Sequence, residues 1–319
     1  MLARRGLMTA ALWAPLAVQA RAQTWPTRPV RIVVPFTPGG SNDAMARPLA
    51  ERLQAHFGQP FVIENRPGAG SAVGVQQVAQ AAPDGHTLLV TTSSVTAIAP
   101  VQRIAFDAGR ELDGISLLAT SPLVVLVPPN SRFRSVKDLA AEARRRPGEV
   151  TFASSGPGST THLMTELFAL RAGVQMQHVP YRGTAGALTD LVAGRVDVMF
   201  TTIASSAGQL RGGLLKIIAY TADGRPEGTP EAPTVQAEGI DYIGGIWWGL
   251  FGPHGLPAAV RTALNGATNA ALQEPGFARY LAGEGAVPAA LTPDAFQAMI
   301  RTEQQAMRDV VAAAKVTAD

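Results

Sequence analysis

The chain has 319 residues, enough for two domains of ordinary size, and its 46% hydrophobic and 16% charged content excludes a disordered or fibrous protein. It has no cysteine, so disulfides, thiolate metal sites and cysteine nucleophiles are excluded together. Removing Arg4, Arg5 and Arg21 with the first 22 residues takes the 27 basic residues down to 24, equal to the 24 acidic ones, so the formal charge of +3 implies no nucleic-acid surface.

Residues 1–22 read as an export signal. Arg4 and Arg5 form a positive start, residues 7–18 a short apolar run, and Ala20-Arg21-Ala22 a small-x-small cleavage site. A retained anchor is the rival reading, but the run is too short to span a bilayer, and no other stretch approaches about 18 apolar residues. The twin arginines point to the folded-export route without the rest of its motif.

From residue 23 the chain alternates strand and helix. Apolar strands are predicted at 30–34, 61–63 and 87–90, with helices at 43–57 and 72–82 between them. Met45, Leu49, Leu53 and Phe57 fall four apart, the stripe of a helix packed on a sheet. Pro48 removes the bond back to Ala44, which predicts a kink or a late start. Strands at 114–119 and 123–127 follow almost without a break. The alternation then resumes: helix 136–146, strand 150–153, helix 159–172, strand 176–180, helix 184–193, strand 197–200, helix 203–210 and strand 215–220. Arg144, Arg145 and Arg146 end the first of these helices as solvated charge matched to its dipole.

A looser stretch at 223–245 precedes an apolar return at 246–251. The tail is helical, with Pro257 and Pro293 in first turns, Thr292 as an N-cap, and Phe296, Met299, Ile300, Met307, Val310 and Val311 on an apolar face. Alternating strands and crossover helices predict an α/β fold of parallel sheets covered on both faces. The pattern divides into two lobes, 23–121 with 244–319 and 122–243, joined by extended segments near 120–126 and 243–250.

Two turns stand out. Residues 35–43 (P-F-T-P-G-G-S-N-D) and 154–160 (S-S-G-P-G-S-T) each follow a strand and open a helix. A helix start aims free N–H groups and the positive end of its dipole at one point, a site for an anion that needs no lysine or arginine. Singly, each loop reads first as a plain turn and only second as a site. As a pair, one per lobe at strand carboxyl ends, they predict a shared cleft for a small organic anion. Phe36, Thr37, Pro38, Gly39, Gly40 and Asn42 supply the first wall; Ser155, Gly156, Gly158, Ser159 and Thr160 supply the second. Ala69, Gly70 and Ser71, with Thr92 and Ser93, border the same cleft.

Several readings stay double. Ser159 is a cleft donor or the helix N-cap, and Asp43 is a first-turn acid or a contact for a ligand ammonium. His162 is a cleft donor or a packed core histidine. Tyr181 and Arg182 close over a ligand carboxylate, or Arg182 makes a surface salt bridge. Trp247 and Trp248 are core, or else a hinge or pocket wall. Residues 68–74 imitate a dinucleotide loop, but the last glycine comes one residue late and no acid follows at the ribose position, so no nucleotide cofactor is expected. The histidines have no ligand spacing, so no metal is expected, and no nucleophile elbow with an orienting acid exists, which sets hydrolase chemistry aside.

These residues also resemble a known family. P-F-T-P-G-G-S-N-D-A-M-A-R at 35–47, E-N-R-P-G-A-G at 64–70 and A-A-P-D-G-H-T-L-L at 81–89 are similar to the tripartite tricarboxylate transporter receptors, the Bug-type periplasmic solute-binding proteins. So are S-G-P-G-S-T-T-H-L at 155–163, V-P-Y-R-G at 179–183, D-L-V-A-G-R-V-D at 190–197 and A-P-T-V-Q-A-E-G at 232–239. The resemblance runs in order through the chain after the signal. It implies a two-lobed periplasmic binding protein of type II-like fold, monomeric, without catalytic residues or cofactor. In that family, residues matching 36–40 and 155–160 hold a ligand mono- or dicarboxylate, partly through water, for a membrane transporter or a sensor. His86 stands where the family commonly has Tyr, Gly186 where it has Pro, Arg182 where Lys is frequent, and Met307 or Arg308 near a usual Trp.

Overall fold

The computed structural model describes residues 25–317, so the export signal read at 1–22 lies outside the described residues. The chain opens with β1 (Val30–Val34), α1 (Ser41–Phe57), β2 (Phe61–Asn65), α2 (Ala72–Ala79) and β3 (Thr87–Thr92). Short helices α3 (Ile98–Gln102) and α4 (Ala108–Glu111) lead into the long β4 (Leu112–Pro122). Next come β5 (Val124–Val127), α5 (Val136–Arg145), β6 (Thr151–Ser154), α6 (Thr160–Ala172), β7 (Gln177–Pro180) and α7 (Thr184–Val192). They are followed by β8 (Val198–Thr201), α8 (Ile203–Arg211) and β9 (Lys216–Tyr220). The chain returns through β10 (Gly245–Pro253) and ends with α9 (Ala258–Gln273), α10 (Pro275–Gly283), β11 (Val287–Pro288) and α11 (Pro293–Ala314).

Two sheets result, ordered β11-β4-β10-β3-β1-β2 and β7-β6-β8-β5-β9. They are mixed, which corrects the expectation of parallel sheets. β1 lies parallel between β2 and β3, and β6 lies parallel between β7 and β8. β4, β10 and β11 join the first sheet antiparallel, as β5 joins the second. β4 and β10 are the strands that carry the chain between lobes, so they enter a sheet without the crossover helix that parallel pairing requires.

The stripe on α1 packs as its spacing requires: Met45, Leu49 and Leu53 are buried. Contrary to the expected kink or late start, the helix begins at Ser41 and continues through Pro48. Proline leaves the Ala44 carbonyl without its helical donor. The Tyr280 hydroxyl of α10 donates to that carbonyl instead, at 3.1 Å. Among the described residues no helix is long and apolar enough to cross a membrane.

The crossings meet at Thr221, which is fully buried. The Leu123 N–H donates to Thr221 Oγ1 at 2.8 Å, and that hydroxyl donates to the Gly244 carbonyl at 2.6 Å. The Thr221 N–H donates to the Leu123 carbonyl at 3.0 Å, and the Gly244 N–H donates to the Thr221 carbonyl at 2.9 Å. One threonine thus joins both connecting segments.

Candidate functional site

The first loop leaves β1 and becomes α1 with Gly40 as N-cap, so no side chain caps the helix. Asp43 shapes the turn from behind: its Oδ2 accepts the Gly39 N–H at 2.8 Å and Arg47 Nη2 at 3.2 Å, while Oδ1 accepts Asn65 Nδ2 at 3.0 Å. Gly39 has φ +86°, a left-handed conformation that suits glycine. The amides of Ser41 and Asn42 have no protein acceptor among the described residues. Asn42 Oδ1 is likewise buried and unpartnered.

The second loop is more self-contained. Ser159 caps α6, accepting the His162 N–H at 3.3 Å. The Ser155 N–H goes to Thr161 Oγ1 (2.9 Å), the Gly156 N–H to Ser154 Oγ (3.1 Å) and the Gly158 N–H to His162 Nδ1 (3.1 Å). Three of the donors expected to face an anion are therefore spent inside the loop. The amides of Thr160 and Thr161 remain without a protein acceptor among the described residues.

Between the loops lies a cavity of about 20 Å³, lined by Phe36, Gly40, Asn42, Thr92, Ser155 and Thr160. That is little more than the roughly 10–15 Å³ needed to hold one water. Ser41, Thr161, Thr184, Thr201, Thr202 and Ile246 complete the wall and were missed in the sequence. Thr184 opens α7 behind Gly183, and Thr202 caps α8, accepting the Ser205 N–H at 3.2 Å. Four helix starts, not two, therefore surround one space. The signal was available, since both are strand-then-helix turns, but without the glycine-proline mark of the first two.

No lining residue is charged. The field inside comes from helix starts and hydroxyls, positive in sign and insensitive to protonation between pH 5 and 8. The lobes are closed upon it. Ser93 Oγ lies 2.9 Å from Thr160 Oγ1 across the cleft. A Cβ on Gly70 would meet the Pro157 carbonyl oxygen at 1.9 Å, and one on Gly183 would meet Thr37 Oγ1 at 2.1 Å.

The remaining sequence-predicted residues lie around the cavity rather than on its wall. Pro38 and Gly39 are exposed at the turn's tip, and Thr37 is half-buried against Gly183. Ala69 has φ +46° and its carbonyl accepts Gln102 Nε2, while Gly70 presses on the second loop; Ser71 Oγ is 3.1 Å from Ser94 Oγ behind it. Gly156 and Gly158 face Tyr181 and Val101 at distances that leave no room for a larger side chain. His162 is buried, its ring stacked 3.7 Å from His178, whose Nε2 lies 2.6 Å from Ser154 Oγ. Burial beside His162 pushes the His178 imidazole down to about 3.

Tyr181 turns toward α7, where its hydroxyl donates to Asp190 at 2.7 Å; burial and that carboxylate push its pKa up to about 12. Arg182 is exposed and forms no ion pair among the described residues. Trp248 is fully buried, and Trp247 donates from Nε1 to Glu303 at 2.8 Å.

Two α/β lobes on paired connecting segments, closed over a cavity at strand carboxyl ends, define a periplasmic binding protein fold. The comparisons agree. Residues 45–315 match the tripartite tricarboxylate transporter family receptor, TctC. Protein BugT of Bordetella pertussis is 35% identical over 302 residues, covering 93% of each chain. The solved structure of R. palustris Rpa4515 with adipate is 34% identical at a TM-score of 0.87, covering 92% of this chain and 99% of that one. MatC (Rpa3494) from Rhodopseudomonas palustris with bound malate is 30% identical at a TM-score of 0.85, covering 90% and 100%.

The chain belongs to the tripartite tricarboxylate transporter receptor family, whose members are solute-binding receptors and not enzymes.

Proposed function

We propose that this protein is a periplasmic receptor that captures a small organic carboxylate by lobe closure, exported by cleavage near Ala22, and that it serves a tripartite tricarboxylate-type membrane transporter as a monomer. The lobes are taken as 23–121 with 244–319 and 122–243. The observation that carries the reading is the convergence of four helix starts on a cavity with no charged side chain. A carboxylate oxygen seated there would accept from the unpaired amides of Ser41, Asn42, Thr160 and Thr161 and from the ring of hydroxyls, bonds of the stronger, charge-assisted kind. The adipate and malate held by the two Rhodopseudomonas palustris proteins support the same chemistry here.

In the second loop, the anion contact is assigned to the start of α6 and the hydroxyls, since the amides of Ser155, Gly156 and Gly158 hold the loop's own shape. The test is a thermal-shift screen of mono- and dicarboxylates. A ligand present at 100 times its dissociation constant adds about 2.7 kcal/mol to stability, which raises the melting temperature measurably. If no carboxylate in a broad panel shifts the transition, the reading fails.

A further inference from the structure

The polar cavity has room for about one water-sized atom such as a carboxylate oxygen, so the body of any ligand must lie elsewhere. A chamber of about 900 Å³, open to solvent along the side of Ile243 and Val287, adjoins it and is within the range of small-molecule pockets. Thr160 and Ile246 line both spaces, and the Ser93–Thr160 hydroxyl contact lies at their junction. Both lobes build the chamber: Leu163, Met164 and Leu167 of α6 face Trp247 of β10 and Met299 and Met307 of α11. Closure therefore forms it together with the anion cavity.

The charges in the chamber have one sign. Its wall carries Glu303 and Asp223 and no lysine, arginine or histidine. Glu303 accepts the Trp247 Nε1–H at 2.8 Å, and burial raises its carboxyl above the usual range. A carboxylate at the far end of a ligand would lie against a wall whose only charged residues are Asp223 and Glu303, with no cation to receive it, an unfavourable like-charge placement. A ring or alkyl body would meet methionine, leucine and tryptophan surface suited to it.

We propose that this chamber takes the body of the ligand, and that the receptor selects monocarboxylates with an aromatic or alkyl body over dicarboxylates of equal length. The inference rests on the carboxylate-receptor reading above and narrows it.

The test uses protein purified from the periplasm without refolding, titrated calorimetrically with propanoate, hexanoate, adipate and phenylhexanoate. Hexanoate and adipate differ only in a terminal methyl against a terminal carboxylate. Hexanoate is expected to bind at least about tenfold more tightly than adipate, and phenylhexanoate more tightly still. Ala306→Trp, on an exposed position of α11 at the chamber wall, should weaken phenylhexanoate at least about tenfold and leave propanoate unchanged; Met307→Trp serves if that variant does not fold. Adipate binding as tightly as hexanoate, or chamber-filling variants that hold phenylhexanoate unchanged, would overturn the chamber assignment while the carboxylate reading stands. Failure of all four acids to bind would overturn the chamber assignment, and the carboxylate reading falls with it only if the broad thermal-shift panel also gives no shift.

Discussion

Gly70 and Pro157 touch across the cleft so closely that a methyl group on Gly70 would lie 1.9 Å from the Pro157 carbonyl oxygen. With 23–121 and 122–243 taken as separate lobes, the clash is expected only in the closed state. Gly70→Ala is expected to fold, at a cost of about 1 kcal/mol for alanine at φ +61°. It should nevertheless weaken carboxylate binding by about 100-fold or more, because the closed state becomes inaccessible. Titration calorimetry beside a urea melt checks this, and full affinity in a folded variant would contradict it.

Asp43 makes the second prediction. Its carboxylate accepts the Gly39 amide, the Asn65 amide and the Arg47 guanidinium. Asp43→Ala leaves the part-buried Gly39 N–H without an acceptor and Asn65 Nδ2 with the Phe36 carbonyl alone, which should cost about 1–3 kcal/mol of unfolding free energy. Ligand affinity should fall as well, since the first loop loses its shape. A variant with wild-type stability and affinity would show that the turn holds itself.

Acid should weaken the second lobe through His178. Burial and the neighbouring His162 hold its folded pKa near 3 against an ordinary 6.5. The folded chain therefore keeps the ring neutral, while the unfolded chain takes up a proton near pH 6.5. Stability from this group is complete above pH 6.5 and is lost as pH falls from there toward 3. Because the ring is only part-buried, the loss between pH 6.5 and 5 should be about 1–2 kcal/mol. His178→Gln should flatten the dependence of unfolding free energy on pH across that window; an unchanged slope would assign the loss to other groups.

Tyr280 and Pro48 are predicted to be coupled. Tyr280→Phe leaves the Ala44 carbonyl without a donor and should cost about 0.5–1 kcal/mol. In a Pro48→Ala background the restored helical N–H takes over, so the same change should cost almost nothing. A double-mutant cycle with additive effects would show that the hydroxyl does not substitute for the missing amide.

Much of this site was legible because its first two turns demand particular residues. A left-handed Gly39 and a proline-bounded helix start leave a mark in the sequence that hydroxyl side chains do not. Thr184, Thr201 and Thr202 sit in equivalent places, yet threonine is as common in strands and ordinary caps, so their strand-then-helix turns carried only a weak mark. The direction of Tyr181 depends on Asp190, one helical stretch away, and spacing alone does not reveal that it turns aside. The donors of the second loop were miscounted for a similar reason: Ser154, Thr161 and His162 bend back to take them. In the fold, strand positions followed from apolar runs, whereas the antiparallel entry of β4, β5 and β10 is a long-range pairing that local pattern does not encode.

The threonine at the meeting of the crossings has a mechanical consequence. Leu123 and Gly244 are fastened to the same side chain, so neither connecting segment can lengthen or slide without dragging the other. A hinge knotted at that threonine is expected to favour rotation of the lobes over sliding. On such a hinge, closure would bring the start of α1 opposite the start of α6 in the same alignment at every cycle.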